Sequence, residues 1–293
     1  MKLGLGTVQF GLDYGISNRT GRTPAEDVAD ILEFAAGQKI QILDTAPAYG
    51  DSEAVLGQAL GGRQEFRIVT KTPGNLFEKS APGETENHIR SSLSLSLEKL
   101  RVKSAYGLLV HHGQDLISPM GDKIFSTLQS LQAEGLVKKI GASVYSPEEL
   151  TPILDRFEID LVQLPLNPLD QRFISSGLLK RLRQRGVEVH ARSTFLQGLL
   201  LLPVDQVSPH FRPILDTLKQ FHHALKVENI DAVSACLRFS LGLEEVDHLV
   251  CGVNSIAHLK ELVAASSRPA KNFDFSPFAL SDPNFLEPRY WPK

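Results

Sequence analysis

A (β/α)8 TIM barrel of the α/β class, forming one domain over residues 1–293, is the fold that the sequence predicts from three observations. Eight short, apolar, β-rich runs alternate with longer amphipathic segments along the chain. Most of these runs are almost continuously hydrophobic, which is typical of parallel strands buried on both faces. No Pro/Gly/Ser-rich linker or shift of composition divides the chain. Eight such units in one undivided domain favour a closed barrel over an open sheet.

The strand predictions follow from the apolar runs. The predicted strands are Leu3–Val8, Ile40–Asp44, Phe66–Lys71, Tyr106–His111, Val137–Ser143, Leu161–Leu166, Val187–Arg192 and His248–Val253. After the seventh strand, Leu201–Pro213 is predicted to form a longer excursion from the barrel. An open dinucleotide-binding sheet would also need a Gly-rich turn that opens a helix. Gly4-Leu5-Gly6 leads instead through Thr7 into a long loop, which does not fit that fingerprint.

Start and stop signals bound several of the helices between the strands. Thr23 before Pro24 predicts a helix with a threonine cap and proline at its first position. Ser146 before Pro147 repeats this signal before the fifth helix. Gly135 and Gly186 are predicted to end the fourth and sixth helices immediately before the next strand.

Composition excludes several classes of function. The 293 residues carry a formal net charge of -3, which gives no electrostatic reason to bind nucleic acid or an anionic membrane. No apolar run reaches the ~20 residues that span a bilayer, and no basic-then-apolar leader is visible. Cys236 and Cys251 cannot form a disulfide framework. We therefore expect a cytoplasmic protein whose oligomeric state the sequence leaves open.

Polar residues follow three consecutive predicted strands. Asp44 ends the second strand with Tyr49 in the loop behind it, Lys71 ends the third and His111 ends the fourth. Catalytic residues of a (β/α)8 barrel lie at these carboxyl ends. A single charge after an apolar run is often only a solvated strand end, but three in succession with a nearby tyrosine indicate a catalytic site.

The four side chains suit the reduction of a carbonyl group. A tyrosine hydroxyl titrates near pH ~10, and a neighbouring lysine ammonium is expected to lower that pKa. Aspartate would keep Lys71 charged, and a neutral imidazole would orient the carbonyl oxygen. Such a site can protonate an alkoxide that forms as hydride arrives at carbon. The pair His111-His112 lacks carboxylate or cysteine companions at ligand spacing, so no metal site is expected.

At these residues the chain resembles the aldo-keto reductase family, and the resemblance extends over essentially the whole chain. The matching strings are Leu43–Gly50 with Ser52-Glu53 and Leu56-Gly57, Val69–Lys71, Leu108–His111, Gly135–Ser143, Val162-Gln163 through Asn167, and Gln197–Leu200. The resemblance implies that Tyr49 is the general acid, with Lys71 and Asp44 as its tuning pair and His111 orienting the carbonyl.

The resemblance also implies a nicotinamide cofactor, NADP as the family expectation, with NAD remaining possible. The implied cofactor-binding residues are Gly6, Thr7, Ser143, Gln163, Arg192, Ser193, Leu196, Gln197, Gly252, Ser255, His258 and Glu261. Ser143 and Gln163 would hold the carboxamide of the nicotinamide. Ser193, Leu196 and Gln197 would lie along the pyrophosphate. Ser255, His258 and Glu261 would lie near the adenosine.

Several positions depart from the family pattern. Val144 stands where an asparagine often follows the carboxamide-binding serine, and Arg192 stands where an aromatic ring usually stacks on the nicotinamide. Gly252 and His258 align with the basic residues that bind a 2′-phosphate. Arg268, a few residues further on, is either a reserve cation for that phosphate or a solvated charge at a helix end.

Three functions remain open at this point. The first is NAD(P)H-dependent reduction of an aldehyde or ketone whose identity the sequence does not specify. The second is a Schiff-base aldolase with Lys71 as nucleophile, although Asp44 would hold that lysine protonated. The third is a barrel that binds the dinucleotide as a regulatory or scaffold subunit. Trp291 near the C-terminus either covers the substrate mouth or packs the tail against the barrel.

Overall fold

Eight parallel strands close into a barrel in the computed structural model, which describes residues 1–16, 18, 20–79, 83–268 and 272–292. The strands are β1 Leu3–Gly6, β2 Ile42–Asp44, β3 Arg67–Lys71, β4 Ala105–Val110, β5 Val137–Ser143, β6 Leu161–Pro165, β7 Glu188–Arg192 and β8 His248–Gly252. Each strand pairs with the next, and β8 pairs with β1 from Leu3 opposite Leu249 to Gly6 opposite Gly252. The predicted (β/α)8 barrel is confirmed.

Helical segments connect the strands and pack around them. The described helices are α1 Val8–Gly11, α2 Ala25–Gly37, α3 Ser52–Leu60, α4 Leu76–Lys79, α5 Thr85–Leu100, α6 Gln114–Ile117, α7 Gly121–Ala133, α8 Pro147–Arg156, α9 Arg172–Ser175, α10 Leu178–Gln184, α11 Leu215–Val227, α12 Ala232–Leu241, α13 Ile256–Ser266 and α14 Pro283–Leu286. Among the described residues, no helix is long and apolar enough to cross a membrane.

The strand predictions agree with the observed strands to within two residues at either end. The first strand was predicted too long, because the chain turns into α1 at Val8. Thr7 causes this turn: its backbone N–H and its hydroxyl both donate to the Asp44 carbonyl oxygen, each over 2.9 Å. The excursion after β7 is confirmed as three short 3-10 turns, Leu196–Leu201, Val204–Gln206 and Pro209–Ile214.

The helix signals hold at three of the four positions. Ser146 caps α8 by accepting a hydrogen bond from the Glu149 backbone N–H at 3.4 Å. Gly135 and Gly186 take φ values of +76° and +69°, the left-handed conformation that ends a helix at little cost for glycine. The predicted threonine cap of α2 is wrong. Pro24 occupies the cap position, and the Thr23 hydroxyl lies 3.5 Å from the Val253 carbonyl oxygen.

Three layers of side chains fill the barrel interior. Because alternate residues of a strand share a face, Glu188, His190 and Arg192 of β7 follow one another from the amino end towards the carboxyl end of the interior. The middle layer contains an apolar cluster of Val69, Leu109 and Leu161. The amino-terminal layer is polar and centres on Glu188, whose carboxylate accepts hydrogen bonds from Tyr106 at 2.7 Å and from Lys139.

Two histidines complete the polar layer at the amino ends of the strands. The His190 ring nitrogen Nε2 lies 2.7 Å from Glu188 Oε1, and the His248 ring stands 5.1 Å from the His190 ring. The pKa of His248 is lowered to about 4, mainly by burial and also by the neighbouring His190, whereas Glu188 and Asp247 oppose the shift. His248 is therefore neutral in the folded protein at neutral pH.

This histidine is expected to make the fold sensitive to acid. An unfolded chain binds the proton near pH ~6.5, whereas the folded chain binds it only near pH 4. The unfolded state thus holds more protons between these values, and stability is lost as the pH falls from about 6.5 to 4. At about 1.4 kcal/mol per pKa unit, the loss at pH ~5 is on the order of 1–2 kcal/mol.

Chemical denaturation of the wild type and His248→Asn at pH ~7.5 and ~5 measures this effect. The variant should lose less stability on acidification than the wild type, and His223→Asn, on the exposed surface, should behave like the wild type. Equal losses in all three proteins would contradict the assignment.

Candidate active site

Asp44, Lys71 and His111 converge at the carboxyl ends of neighbouring strands, as the sequence predicted. Asp44 is the last residue of β2, Lys71 is the last residue of β3, and His111 follows β4 directly. The register of β2, β3 and β4 brings these ends together. Tyr49 reaches the same place from the loop between β2 and α3.

Lys71 and Asp44 form a buried ion pair. The Lys71 ammonium donates to Asp44 Oδ1 at 2.8 Å, to Asp44 Oδ2 at 2.9 Å and to the Thr45 carbonyl oxygen at 2.9 Å. The two residues are only 2% and 4% exposed, so water contributes little to their solvation. Burial lowers the pKa of Lys71, and the Asp44 carboxylate opposes this by stabilising the ammonium. These three bonds use all three ammonium protons.

Tyr49 lies beside this pair. Lys71 Nζ is 4.9 Å from the Tyr49 ring centre, and the His111 ring stands edge-on to Tyr49 with 6.0 Å between ring centres. Burial raises the pKa of the Tyr49 hydroxyl, the Asp44 carboxylate raises it further, and the Arg192 guanidinium opposes both. The sequence analysis expected Lys71 to lower the pKa of Tyr49. The structure does not show this, because the Asp44 carboxylate neutralises the charge of that lysine.

His111 is a neutral imidazole at physiological pH. Burial lowers its pKa to about 3, and the nearby charges of Lys71 and Arg192 act in the same direction. Its Nδ1 atom is buried and has no hydrogen-bond partner among the described residues. Its backbone N–H donates to Thr72 Oγ1 at 3.2 Å, which fixes the start of the loop.

Small residues hold the loop that carries Tyr49. Ser52 donates to the Thr7 carbonyl oxygen at 2.7 Å, and its hydroxyl oxygen lies 2.8 Å from the Thr7 hydroxyl oxygen. The end of α1 approaches so closely that a Cβ atom on Gly11 would lie 1.9 Å from the Tyr49 carbonyl oxygen. Gly50 adopts φ +58°, so the turn after Tyr49 also favours glycine. The backbone around the tyrosine is thus fixed from two sides.

A cavity of about 650 Å³ opens at this end of the barrel, within the usual range for a small-molecule or cofactor site. Most of the sequence-predicted site residues line it. They are Gly6, Thr7, Asp44, Tyr49, His111, Ser143, Gln163, Arg192, Ser193, Gln197, Gly252, His258 and Glu261. The cavity extends from the Tyr49–His111 pair to the start of α13.

Three predicted residues lie outside the cavity lining. Lys71 lies on the side of Asp44 that faces away from the cavity, and it acts on the site through the Asp44 carboxylate. Leu196 is fully buried in a hydrophobic cluster, so its side chain packs rather than binds. Ser255 caps α13 by accepting a hydrogen bond from the His258 backbone N–H at 3.3 Å.

Two glutamines are oriented by bonds within the protein. Gln163 Nε2 donates to Asp44 Oδ1 at 2.7 Å, which connects β6 to the ion pair and fixes its amide. Gln197 Nε2 donates to the Tyr14 hydroxyl at 3.2 Å, and the Ile16 backbone N–H donates to the Gln197 carbonyl oxygen at 3.1 Å. The loop after β1 therefore crosses the cavity and contacts the loop after β7.

The sequence analysis missed several lining residues, among them Gln9, Tyr145, Thr194 and Asn254. Tyr145 stands two residues after Ser143, so continuing the alternation of β5 beyond its end would have found it. Gln9 and Asn254 lie in segments without a periodic pattern, where nothing in the sequence distinguishes them.

The far end of the cavity contains one histidine and one acid, His258 and Glu261. Arg268 does not line this cavity. Its guanidinium is bound to the Asp231 carboxylate and donates to Ser234 Oγ at 3.1 Å. Arg268, which the sequence analysis considered as a cation for the 2′-phosphate, is therefore paired with Asp231 outside the cavity.

His112 and the tryptophan do not line the cavity, although the His112 ring stands 5.1 Å from the His111 ring. His112 binds the Asn75 side chain. Within the described residues, one group of side chains has the spacing of metal ligands, Glu188, His190 and His248 in the amino-terminal layer of the barrel. Tyr106, Lys139 and His190 already bind the oxygens of Glu188. Trp291 packs edge-on against Phe211 at 4.9 Å and does not line the cavity, so it holds the tail against the barrel.

The comparison with known proteins identifies the class. The model of the aldo/keto reductase family matches residues 2–277, so the chain belongs to this family of NAD(P)H-dependent oxidoreductases.

Relatives of known name support this assignment. An NADH-specific methylglyoxal reductase from Escherichia coli is 28% identical over 217 residues, which cover 68% of this chain and 65% of that protein. The match thus spans slightly less than two thirds of the bacterial enzyme. L-galactose dehydrogenase from Arabidopsis thaliana is 27% identical over 84% of this chain and 79% of its own length.

Solved structures agree in fold. The holo form of the aldo-keto reductase AKR11C1 from Bacillus halodurans superposes with a TM-score of 0.75 at 24% identity. The superposition covers 92% of this chain and 88% of that chain.

The buried ion pair gives a stability prediction. Lys71→Met leaves Asp44 buried without a cation, and we expect it to lower the free energy of unfolding by roughly 3–5 kcal/mol. The double variant Lys71→Met/Asp44→Asn should lose less than the two single variants together, because neither charge is then stranded.

Urea denaturation of the four proteins measures this coupling. The exposed pair Lys219 and Asp216, 3.2 Å apart, is the matched control, and we expect its coupling to be below about 1 kcal/mol. Strict additivity at Lys71 and Asp44 would show that the two charges do not depend on each other.

Proposed function

We propose that this protein reduces an aldehyde or ketone to an alcohol with NAD(P)H, and that Tyr49 donates the proton to the carbonyl oxygen. The observation that carries the proposal is the grouping of Tyr49, neutral His111 and the buried Lys71–Asp44 pair at one end of a cavity of cofactor size. When bound, the dihydronicotinamide supplies the hydride. The other parts of the reaction belong to the side chains of this chain.

Tyr49 suits the role of the acid. Burial and the Asp44 carboxylate keep its hydroxyl protonated, which is the state that an acid needs before reaction. An alkoxide is a far stronger base than a phenolate, so the proton moves from Tyr49 once the carbonyl oxygen becomes negative. The Arg192 guanidinium, whose charge lowers the pKa of the Tyr49 hydroxyl, then stabilises the negative charge left on the tyrosine.

His111 suits the role of orienting the substrate. With its pKa lowered to about 3, it offers an uncharged N–H donor over the whole neutral range. Its ring stands edge-on to Tyr49, so one carbonyl oxygen can accept hydrogen bonds from both residues. Both hydrogen bonds strengthen as the oxygen becomes negative, so the site favours the developing alkoxide over the neutral ketone or aldehyde.

The donor set of the cavity fits a nicotinamide dinucleotide. Ser143 and Gln163 would hold the carboxamide, since both line the cavity and the Gln163 amide is fixed by Asp44. Ser193 and Gln197 would face the phosphates, and Gly6, Thr7 and Gly252 would form the cradle between them. A Cβ atom at Gly252 would lie 2.4 Å from the Gln9 side-chain amide, so a side chain there would displace Gln9.

The geometry argues against the two alternatives. A Schiff-base aldolase needs a free amine, but Lys71 donates three hydrogen bonds and does not line the cavity. A regulatory barrel would not need the buried ion pair beside Tyr49. Borohydride trapping with a carbonyl substrate tests the first alternative, and oxidation of NADPH or NADH followed at the nicotinamide absorbance band tests the second.

Tyr49→Phe is the direct test of the acid. We expect kcat to fall by roughly 10²–10⁴-fold, because the phenylalanine ring has no proton to donate. The dissociation constants of NADPH and NADH should stay near the wild-type values. Tyr290→Phe removes an exposed tyrosine hydroxyl and should have no effect. Turnover of the Tyr49 variant close to that of the wild type would refute the role.

Cofactor choice gives a second test. A 2′-phosphate carries about two negative charges and usually binds Arg or Lys. Among the described residues that line that end of the cavity, the basic one is His258, with Glu261 close by on α13, so we expect a weak preference for NADPH over NADH. Because a protonated imidazole attracts a phosphate more strongly than a neutral one, the preference should grow as the pH falls from about 8 to about 6.

Titration of both dinucleotides by fluorescence at three pH values, with His258→Gln as the comparison, measures this preference. The variant should lose the pH dependence. A strong preference for NADPH that does not change with pH would show that another cation binds the phosphate.

A further inference from the structure

Arg192 brings a positive charge to the end of the cavity at which the reduction is proposed. It is the last residue of β7, and its half-buried side chain lines the cavity with Tyr49 and His111. Burial raises the pKa of Tyr49 and lowers that of His111, and at both residues the charge of Arg192 acts towards a lower pKa. The field of Arg192 therefore reaches both groups that would hold the carbonyl oxygen.

Uncharged groups hold the guanidinium of Arg192 in place. Its Nη2 donates to the Val144 carbonyl oxygen at 3.0 Å, and its Nη1 donates to Ser193 Oγ at 3.1 Å. The guanidinium carbon lies 4.3 Å from the centre of the Tyr145 ring. These contacts fix the position of the charge without neutralising it.

Arg192 has no counter-ion within the described part of the chain, where no carboxylate oxygen lies within 4.0 Å of its guanidinium nitrogens. A second arginine shows the difference. Arg289 lies 4.5 Å from the centre of the same Tyr145 ring, but its guanidinium pairs with the carboxylates of Glu149 and Glu287. The charge of Arg289 is thus matched within the protein, and that of Arg192 is not.

The other ionisable groups beside Tyr49 add no net charge. Asp44 accepts hydrogen bonds from Lys71 through both carboxylate oxygens, at 2.8 Å and 2.9 Å, so these two charges cancel. His111 is neutral, because burial and its cationic neighbours lower its pKa to about 3. At the reacting end of the cavity, this group of residues therefore presents one net positive charge, that of Arg192.

The nicotinamide ring must bind within this field if hydride is to reach the carbonyl carbon. Reacting atoms approach to about 3–3.5 Å, and Tyr49 and His111 would hold the carbonyl oxygen. The ring is neutral in the reduced dinucleotide and positively charged in the oxidised one, whereas the phosphates, riboses and adenine are the same in both. A difference in affinity between the two forms therefore reports on the charge around the ring.

We propose that Arg192 makes the site discriminate between the redox states of the dinucleotide, so that the reduced form binds more tightly than the oxidised form. This inference rests on the proposed reduction, which places the ring beside Arg192. A guanidinium without a counter-ion repels the oxidised ring, and water screens this repulsion weakly in a partly buried site. When both forms are present, the reduced form occupies the site and the oxidised product inhibits weakly.

Equilibrium binding tests the proposal without turnover. Calorimetry gives the dissociation constants of NADPH and NADP⁺, and of NADH and NAD⁺, with no carbonyl compound present. The wild type should bind the reduced form of each pair about tenfold or more tightly than the oxidised form. Arg192→Gln removes the charge and should reduce this ratio by about tenfold.

A neutral analogue separates the charge of the ring from its shape. Benzamide adenine dinucleotide has a planar aromatic ring like that of NAD⁺ but without the positive charge. The wild type should bind this analogue about tenfold or more tightly than NAD⁺, and Arg192→Gln should bind the two compounds alike. A wild type that binds them alike would overturn the proposal.

Two further variants serve as controls. Arg192→Lys keeps a positive charge at the same position and should retain most of the discrimination. Arg212→Gln removes an arginine charge from an exposed position and should leave every ratio unchanged. Each ratio compares two ligands on the same protein, so a general loss of affinity in a variant does not imitate the effect. A ratio that stays at the wild-type value in Arg192→Gln would refute the role of this residue.

The same measurements distinguish this inference from other roles of Arg192 and from the proposed reaction. If Arg192 binds a dinucleotide phosphate instead, Arg192→Gln weakens the reduced, oxidised and neutral ligands by the same factor, and the proposal fails. If no carbonyl compound is reduced but the ratio depends on Arg192, the discrimination stands and the proposed reaction fails. If carbonyl compounds are reduced and the wild type binds both redox forms alike, the discrimination alone fails. Absence of dinucleotide binding would contradict both.

Discussion

The ion pair of Lys71 with Asp44 is the interaction on which the carboxyl end of the barrel depends. The two opposite charges are almost completely shielded from water and neutralise each other. The Thr45 carbonyl oxygen accepts a further hydrogen bond from Lys71, and the Gln163 amide donates one to Asp44. Such a pair is stable only if its geometry is fixed, and the hydrogen-bonded register of β2 and β3 fixes it. The same register places Tyr49 and His111 around it. Folding of the barrel and assembly of the site are therefore one event.

Charge is distributed differently at the two ends of the barrel interior. At the amino end, Glu188 receives hydrogen bonds from Tyr106, Lys139 and His190, so the charges there are matched within the protein. At the carboxyl end one cation, Arg192, is left over. An apolar layer between the ends keeps them apart. The charges at the amino end thus stabilise the fold, and the carboxyl end retains a positive electrostatic potential that a ligand can neutralise.

Most of the barrel and the grouping of Asp44, Tyr49, Lys71 and His111 at its carboxyl end could be predicted from the sequence, because parallel strands buried on both faces leave continuous apolar runs and end on polar residues. The packing of the Leu196 side chain and the helix cap formed by Ser255 could not, since alignment does not show whether a side chain faces the cavity, the core or a helix cap. The electrostatics of Tyr49 were also out of reach. The sequence suggests Lys71 as the cation beside Tyr49, but Asp44 neutralises the charge of Lys71. The cation that lowers the pKa of Tyr49 is Arg192, on a distant strand.

Gly11 belongs to the definition of the active site although it carries no functional group. Its Cα approaches the backbone of Tyr49 and Ser52 so closely that even a methyl group would overlap both. A protein with Asp44, Tyr49, Lys71 and His111 but alanine at position 11 would have the same functional groups, but the loop that carries Tyr49 would be displaced. Searches for active members of the family, and libraries built to redesign them, should therefore treat this glycine as strictly as the tyrosine.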